Sequence, residues 1–386
     1  FSSSLRMHLT DTRSHRMPML LSDTRTQLWQ ALTVCIGMLL GIALLPVPHA
    51  HAQTGPGGVG NAGGTSNQPQ NALWLRSDRG VTSNASGNTV WKDQSGNGNN
   101  ASAPLGPPLG QPQLISESGV LGGRSVFDFR PDNKDFFEVN ESPDSDLDNT
   151  NELTVVSVVY PETINLDGGG APGIFSKRNN FNDSNAYGGF FYTGNKFNFD
   201  VDGSGNRNES SSLSAETGYL IQNRYSRSEG ESQIFIDGDK EEPVQSFTTS
   251  IGDEPSTLRL GLLTSGVNPD GSLDVEGNSN RFFDGRIGEF IIYRTALNTA
   301  QRTIVNTYLA EKYSLPTTGG EIRSLDYGTG YSTDIGGIGR ASAGEKHEEA
   351  SSSVLGFGVG GSVAASGFGS DGQYVFIGHD GGAKNN

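Results

Sequence analysis

Cysteine is almost missing: the 386 residues contain one, Cys35. It lies inside an apolar run, and Leu32-Thr33-Val34 before it lacks the small residue that precedes a lipidated cysteine. The chain after it has no disulfide and no thiolate zinc site. Histidine is equally scarce. His8, His15, His49 and His51 precede residue 53, leaving only His347 and His379 near the C-terminus. The long middle of the chain therefore offers no Ser-His-Asp or Cys-His arrangement and no imidazole-bound metal. Apolar residues are few at 33%, against 54 glycines. That balance fits thin strands and many turns and argues against a helical enzyme with a large core.

Positive charge is also short, with 27 Lys and Arg against 43 Asp and Glu, a net −16. The first 52 residues hold four arginines and two aspartates, so the remainder is more acidic still. An acidic surface repels phosphate backbones and excludes nucleic acid as a partner. It suits a soluble exported protein, or one that gathers calcium. Residues 1–52 read as an export signal with an upstream extension. Arg13, Arg16 and Arg25 precede an apolar run from Ala31 to Val47, and Ala50-His51-Ala52 supplies an A-x-A cleavage site. A membrane anchor is the alternative. The run is short for a bilayer span and ends in Pro46 and Pro48, so no span is expected after cleavage. Phe1 is not an initiator; Met7, Met17 and Met19 are candidate starts.

Residues 53–71 (QTGPGGVGNAGGTSNQPQN) read as a flexible leader with almost nothing to bury. From Ala72 short strands recur: 72–76, 88–93, 125–129, 153–160, 173–176, 187–193, 196–201, 218–225, 233–236 and 257–262. Gly, Asn and Asp turns separate them, which indicates an antiparallel sandwich or barrel. Asp237-Gly238 after Ile234-Phe235-Ile236 is the clearest hairpin signal. The stretch Arg281 to Pro316 closes this region with a strand apolar on both faces and then one capped helix. Asn298 and Gln301 have capping-box spacing, and Ile304, Val305, Tyr308 and Leu309 share a face. Residues 317–321 read as a linker. Residues 322–386, rich in Gly, Ser and Ala, read as a partial second β-module, too thin to close a core alone.

Two stretches carry a family likeness. Trp91-Lys92-Asp93-Gln94-Ser95-Gly96-Asn97-Gly98-Asn99-Asn100-Ala101 follows Leu73-Trp74-Leu75, and Phe283 to Tyr293 (FDGRIGEFIIY) precedes Ala296-Leu297-Asn298 and the helix. With Ile236-Asp237-Gly238 between them, residues 72–316 resemble a bacterial laminin-G-like, concanavalin A-like jelly-roll domain. The resemblance implies an all-β antiparallel jelly-roll β-sandwich with one short C-terminal helix. Residues 334–340 and 374–380 resemble a β-module that follows such domains in large secreted bacterial surface proteins. The fold hosts lectins, glycosidases and adhesion modules, so function rests on a site.

A glycosidase needs two carboxylates facing across the sugar, and no strand carries closely alternating acids. Glu289 is the one acid inside a strongly apolar strand. It is a buried acid with a raised pKa, or a structural carboxylate satisfied by Arg286, Arg294 or a backbone amide. Calcium needs several oxygen ligands. Asp200, Asp202 and Ser204 fit the first half of an EF-hand-like loop, but Ser211 stands where a bidentate Glu belongs. Asp144, Asp146 and Asp148 form a second acidic loop, and Asp270 and Asp274 a less complete one. Sugar binding needs aromatic faces beside amides. Tyr187, Phe190 and Tyr192 lie near Asn182 and Asn185, and the competing reading turns these aromatics toward the core. Trp74 and Trp91 are expected in the core. Gly356 to Gly361 matches G-x-G-x-x-G without a following helix and is discounted. The expectation is a non-catalytic secreted or cell-surface protein that binds a glycan or an extracellular protein partner, with calcium as the candidate cofactor. The alternatives are a protein-binding or spacer module and a divergent glycosidase.

Overall fold

The computed structural model describes residues 55–379 except 66–67, 105, 140–146, 149, 165–168, 204–205, 254–255, 326–333, 352–355, 359–367 and 369. The export signal, Asp144, Asp146 and Ser204 thus lie outside the described residues.

The chain is an antiparallel jelly-roll β-sandwich of two nine-stranded sheets. In the first, Gly285–Tyr293 is central. It pairs with Glu152–Pro161 on one side. On the other it pairs with Asn71–Arg76 along its second half and Val126–Phe129 along its first. Tyr219–Ser226 and Glu231–Ile236 extend this sheet. The second sheet runs from Arg207–Ser212 through Lys196–Val201, Tyr187–Tyr192, Gly173–Lys177, Leu258–Leu260 and Phe137–Val139 to three short strands ending at Val81–Ser83. Alternate residues of both sheets meet in a core of rings. Trp91 lies 4.7 Å from Phe127, and Phe127 lies 4.9 Å from Phe137 in edge contact.

A bulge in the central strand decides which residues face the core. Its register against Glu152–Pro161 shifts between Ile287 and Glu289. Ile287, Phe290 and Ile292 consequently face inward, and Glu289, Ile291 and Tyr293 face outward. Gly288 sits at the shift, where a Cβ would come within 2.6 Å of the Tyr313 ring.

The motif residues of the opening stretch hold backbone. Asp93 accepts from the amides of Trp74, Ser95 and Asn99, and Asn97 and Asn99 donate to the carbonyls of Asn71 and Ala72. The Asp93 loop is thereby fastened to the first strand. The hairpin turn is also as the sequence indicates, with Asp237 and Gly238 both at positive φ.

The helix Thr299–Tyr313 has the expected reciprocal capping box between Asn298 and Gln301. It is buried on more than the expected face, because the C-terminal segment covers it. Ile322 and Ile335 join its apolar cluster, and Tyr374 and Phe376 pack against that cluster. The strands Asp334–Arg340, Lys346–His347 and Gln373–His379 form a small sheet over it. The segment that is too thin to close a core completes one by using the helix. Residues 317–321 do not behave as a linker either. Glu321 pairs with Arg302 at 2.6 Å, and its amide donates to Gly238.

The leader also departs from its compositional reading. Residues 55–60 are buried. Tyr293 Oη donates to Val59 O, and Gly60 N donates to Gln68 Oε1. Glycines satisfy their backbone groups and allow close approach: a Cβ on Gly60 would lie 2.8 Å from the Tyr293 ring. Low apolar content signalled flexibility, but backbone hydrogen bonds supply the order.

Two outcomes follow. Gly288→Ala forces the added methyl against Tyr313 and lowers unfolding free energy by about 1–3 kcal/mol, readable by urea titration. Burial raises Asp237 to about 6; the Leu220 amide it accepts opposes the shift, and Asp239 adds to it. A folded-state pKa above the unfolded value of 3.8 means stability is highest at low pH and is lost as pH rises through 6. Asp237→Asn keeps the acceptor and tolerates positive φ. It should stabilise the protein by about 1 kcal/mol above pH 7, a gain that fades toward pH 4.

Candidate functional site

Two polar constellations stand out, and they do different work. The first surrounds Glu289, which the bulge turns toward the helix. Its carboxylate is fully buried. It accepts from Trp74 Nε1 at 2.6 Å, Tyr308 Oη at 3.0 Å, Lys312 Nζ at 2.8 Å and Tyr313 Oη at 3.2 Å. Lys312 also reaches Asp78 at 3.0 Å, and Asp78 takes two bonds from Arg76. Burial pushes Asp78 up, but Lys312 and Arg76 outweigh it and hold the carboxyl well below the usual range. Neither Arg286 nor Arg294 is a partner of Glu289. Arg286 instead bridges Asp128 at 3.3 Å and Glu162 at 2.7 Å. A side chain with four donors and no solvent contact has no substrate to act on, so Glu289 is a structural carboxylate.

The second constellation is the outer face of the second sheet. On Lys196–Val201, Phe197, Phe199 and Val201 enter the core, leaving Asn198 and Asp200 outward. Paired strands put Glu138, Arg259, Ser176, Gly188, Asp200 and Arg207 in one cross-strand row. Charges of opposite sign are neighbours at both ends of the row, as stable sheet pairing requires. Gly188 opens a slot in the row: a Cβ there would meet Arg178 Nη2 at 2.8 Å. Through that slot Arg178 makes a two-pronged pair with Asp200, both fully buried. Arg259 pairs with Glu138 at 3.0 Å.

Aromatic rings cover part of this face. Phe181, from the 179–183 loop, stands edge-on to Phe190, which stands edge-on to Tyr192. Asp183 fixes the loop by accepting the amides of Asn179 and Asn180. Two further arginines lie on the rings. Arg281 is 5.2 Å from the Phe181 centroid, and Arg207 is 5.1 Å from that of Tyr192. Beside Arg207 a depression of about 380 Å³ is bordered by Lys196, Glu209, Ser211 and Gln245. A second, of about 460 Å³ between Gly63 and Gln301, is lined by no aromatic ring.

The sequence candidates divide accordingly. Tyr187 faces the core, its hydroxyl donating to Leu147 O at 2.8 Å, so it is not a ligand platform. Phe190 faces outward but is fully buried beneath its neighbours. Tyr192 is partly exposed on the strip, and Asn182 is exposed at the rim. Asn185 is held at positive φ, its amide donating to Asp202 Oδ1. In the candidate calcium turn the two described carboxylates already have partners. Asp200 is committed to Arg178, and Asp202 turns toward Asn185. Asp148 pairs with Lys177 at 3.0 Å. Among the described residues no three His, Cys, Asp or Glu side chains are grouped to share a metal ion. Phe181, Arg178, Arg207 and Arg281 were not singled out from the sequence. Their one visible signal was Arg207 at outward spacing across a turn from Asp200.

No family profile matches the sequence, and no curated protein does. Solved structures give low-identity matches. The binding domain of botulinum neurotoxin DC, in complex with rat synaptotagmin II, is 12% identical with TM-score 0.41, over 61% of this chain and 50% of that one. The serotype G binding domain is 14% identical with TM-score 0.41, over 61% and 50%. Trypanosoma rangeli sialidase is 11% identical with TM-score 0.40, over 68% and 36%. The chain thus spans about half the length of the neurotoxin chains it matches.

The Glu289 cluster yields a stability test. Lys312→Met leaves a buried carboxylate without its cation and should cost about 3–5 kcal/mol. Adding Glu289→Gln in the same chain, which removes the charge but keeps an acceptor oxygen for Trp74 and the two tyrosines, should recover part of that loss, as measured by a double-mutant denaturation cycle.

Proposed function

We propose that the protein is a non-catalytic glycan-binding module, working outside the cell or at its surface, and that the outer face of the second sheet is the binding face. One observation carries this reading: Tyr192 is a partly exposed aromatic ring, and Arg207, which lies over it, borders a depression lined by polar side chains. An aromatic face stacks on a pyranose ring, and polar side chains around it meet the hydroxyls. Two features favour binding over catalysis: Glu289 is sealed under the helix, and Asp128 and Glu162 both pair with Arg286. A protein-binding or spacer role is the second reading, and it predicts no dependence on Tyr192.

The test is a glycan array probed with the full chain and with Tyr192→Ala. Binding that falls about tenfold or more in the variant, at unchanged melting temperature, supports the assignment. Binding that Tyr192→Ala leaves intact moves the site elsewhere, and an array without signal sinks the lectin reading.

A further inference from the structure

The polar groups of the outer face are unevenly satisfied. Arg178 has Asp200, Arg259 has Glu138, and Lys196 has Glu209 at 3.2 Å. Arg207 and Arg281 have no carboxylate within ion-pair distance among the described residues; each lies over a ring instead. Arg281 is partly buried, and its Nε is a buried donor with no acceptor. Its neighbour Arg178 adds a second unanswered donor, Nε, on a fully buried side chain, and Asn198 adds an unanswered oxygen. Leaving such donors dry and unpaired is costly, more so for charged groups. A chain of net −16 has acids in plenty to answer them. The carboxylates around this strip are engaged elsewhere: Asp200 with Arg178, Glu209 with Lys196, Glu242 with Lys240 at 3.6 Å, and Asp183 with the amides of Asn179 and Asn180.

We infer that Arg281 and Arg207 form an anion subsite on the Phe181–Phe190–Tyr192 strip, and that its ligand is a saccharide bearing carboxylates. The partly exposed Phe181 and Tyr192 rings give the sugar apolar surface, and the guanidiniums beside them give planar, two-donor forks that match a carboxylate. Sparse carboxylates fit better than a dense polysulfate, because the protein's net negative charge repels a polyanion everywhere else. The inference rests on the glycan-binding reading and sharpens it to acidic sugars.

The experiment compares full-length protein with Arg281→Gln and Arg207→Gln on an array of sialylated and uronic-acid oligosaccharides. Each is paired with its carboxyl-reduced counterpart, and a sulfated set is included. Support is binding to the carboxylated members that is lost on carboxyl reduction. Either variant should weaken that binding about tenfold or more while its melting temperature stays unchanged. Equal binding to acidic and carboxyl-reduced sugars, or acidic binding indifferent to both variants, overturns the anion subsite and leaves the glycan reading standing. Preference for the sulfated set overturns the carboxylate assignment. Silence across all sets overturns both.

Discussion

A carboxylate removed from water must be answered on every side, and Glu289 imposes that demand on the whole of this fold. Its four donors come from the first strand and from two turns of the helix. Burial that complete, with so many partners, survives only if the first strand, the bulged central strand and the helix are all in place. The pair also reaches outward, since Lys312 and Arg76 share Asp78, and Arg76 lies 3.5 Å from Asp334 in the C-terminal sheet. Chain regions distant in sequence therefore close on one charge. An apolar helix on an apolar sheet tolerates sliding; this one is fixed in register by hydrogen bonds with one solution.

The helix and its cap were legible from residues 298–316, because capping and periodicity are local. So were most long strands. The short ones at 81–83, 113–115 and 137–139 were not, since three residues carry too little pattern to count. The sense of Glu289 was hidden for a different reason. A one-residue bulge reverses the facing of everything after it, and its partner Trp74 lies 215 positions away. Composition misled at residues 55–60, where order comes from main-chain bonds that side-chain chemistry does not reveal. The site was half legible. Alternation says that Tyr187 and Phe190 face opposite ways, but it does not say which way is in, nor that Phe181 folds down over Phe190. Arg281 and Arg207 lie 74 positions apart and meet one strip only through the sheet.

Both faces of the sandwich mix ion pairs with unanswered polar atoms. Over the first sheet, four donors converge on Glu289, while Arg76 Nη1, Gln222 Nε2 and Asn306 Oδ1 find no hydrogen-bond partner. Over the second, Arg178 and Arg259 are paired with Asp200 and Glu138, while Arg178 Nε, Arg281 Nε and Asn198 Oδ1 find none. The difference lies in the covering: the helix and the C-terminal segment close over the first set, and aromatic rings lie beside the second.

The covering of the first sheet has one more consequence. Residues 55–60 pack beside the helix, where His347 Nε2 lies 3.2 Å from Gly58 O, and Gln68 donates to Glu349 O. Both limbs of the chain are therefore gathered on the helix side, while the aromatic strip lies on the opposite sheet. The first and last described segments of the chain thus share one face of the sandwich, and the candidate strip has the other.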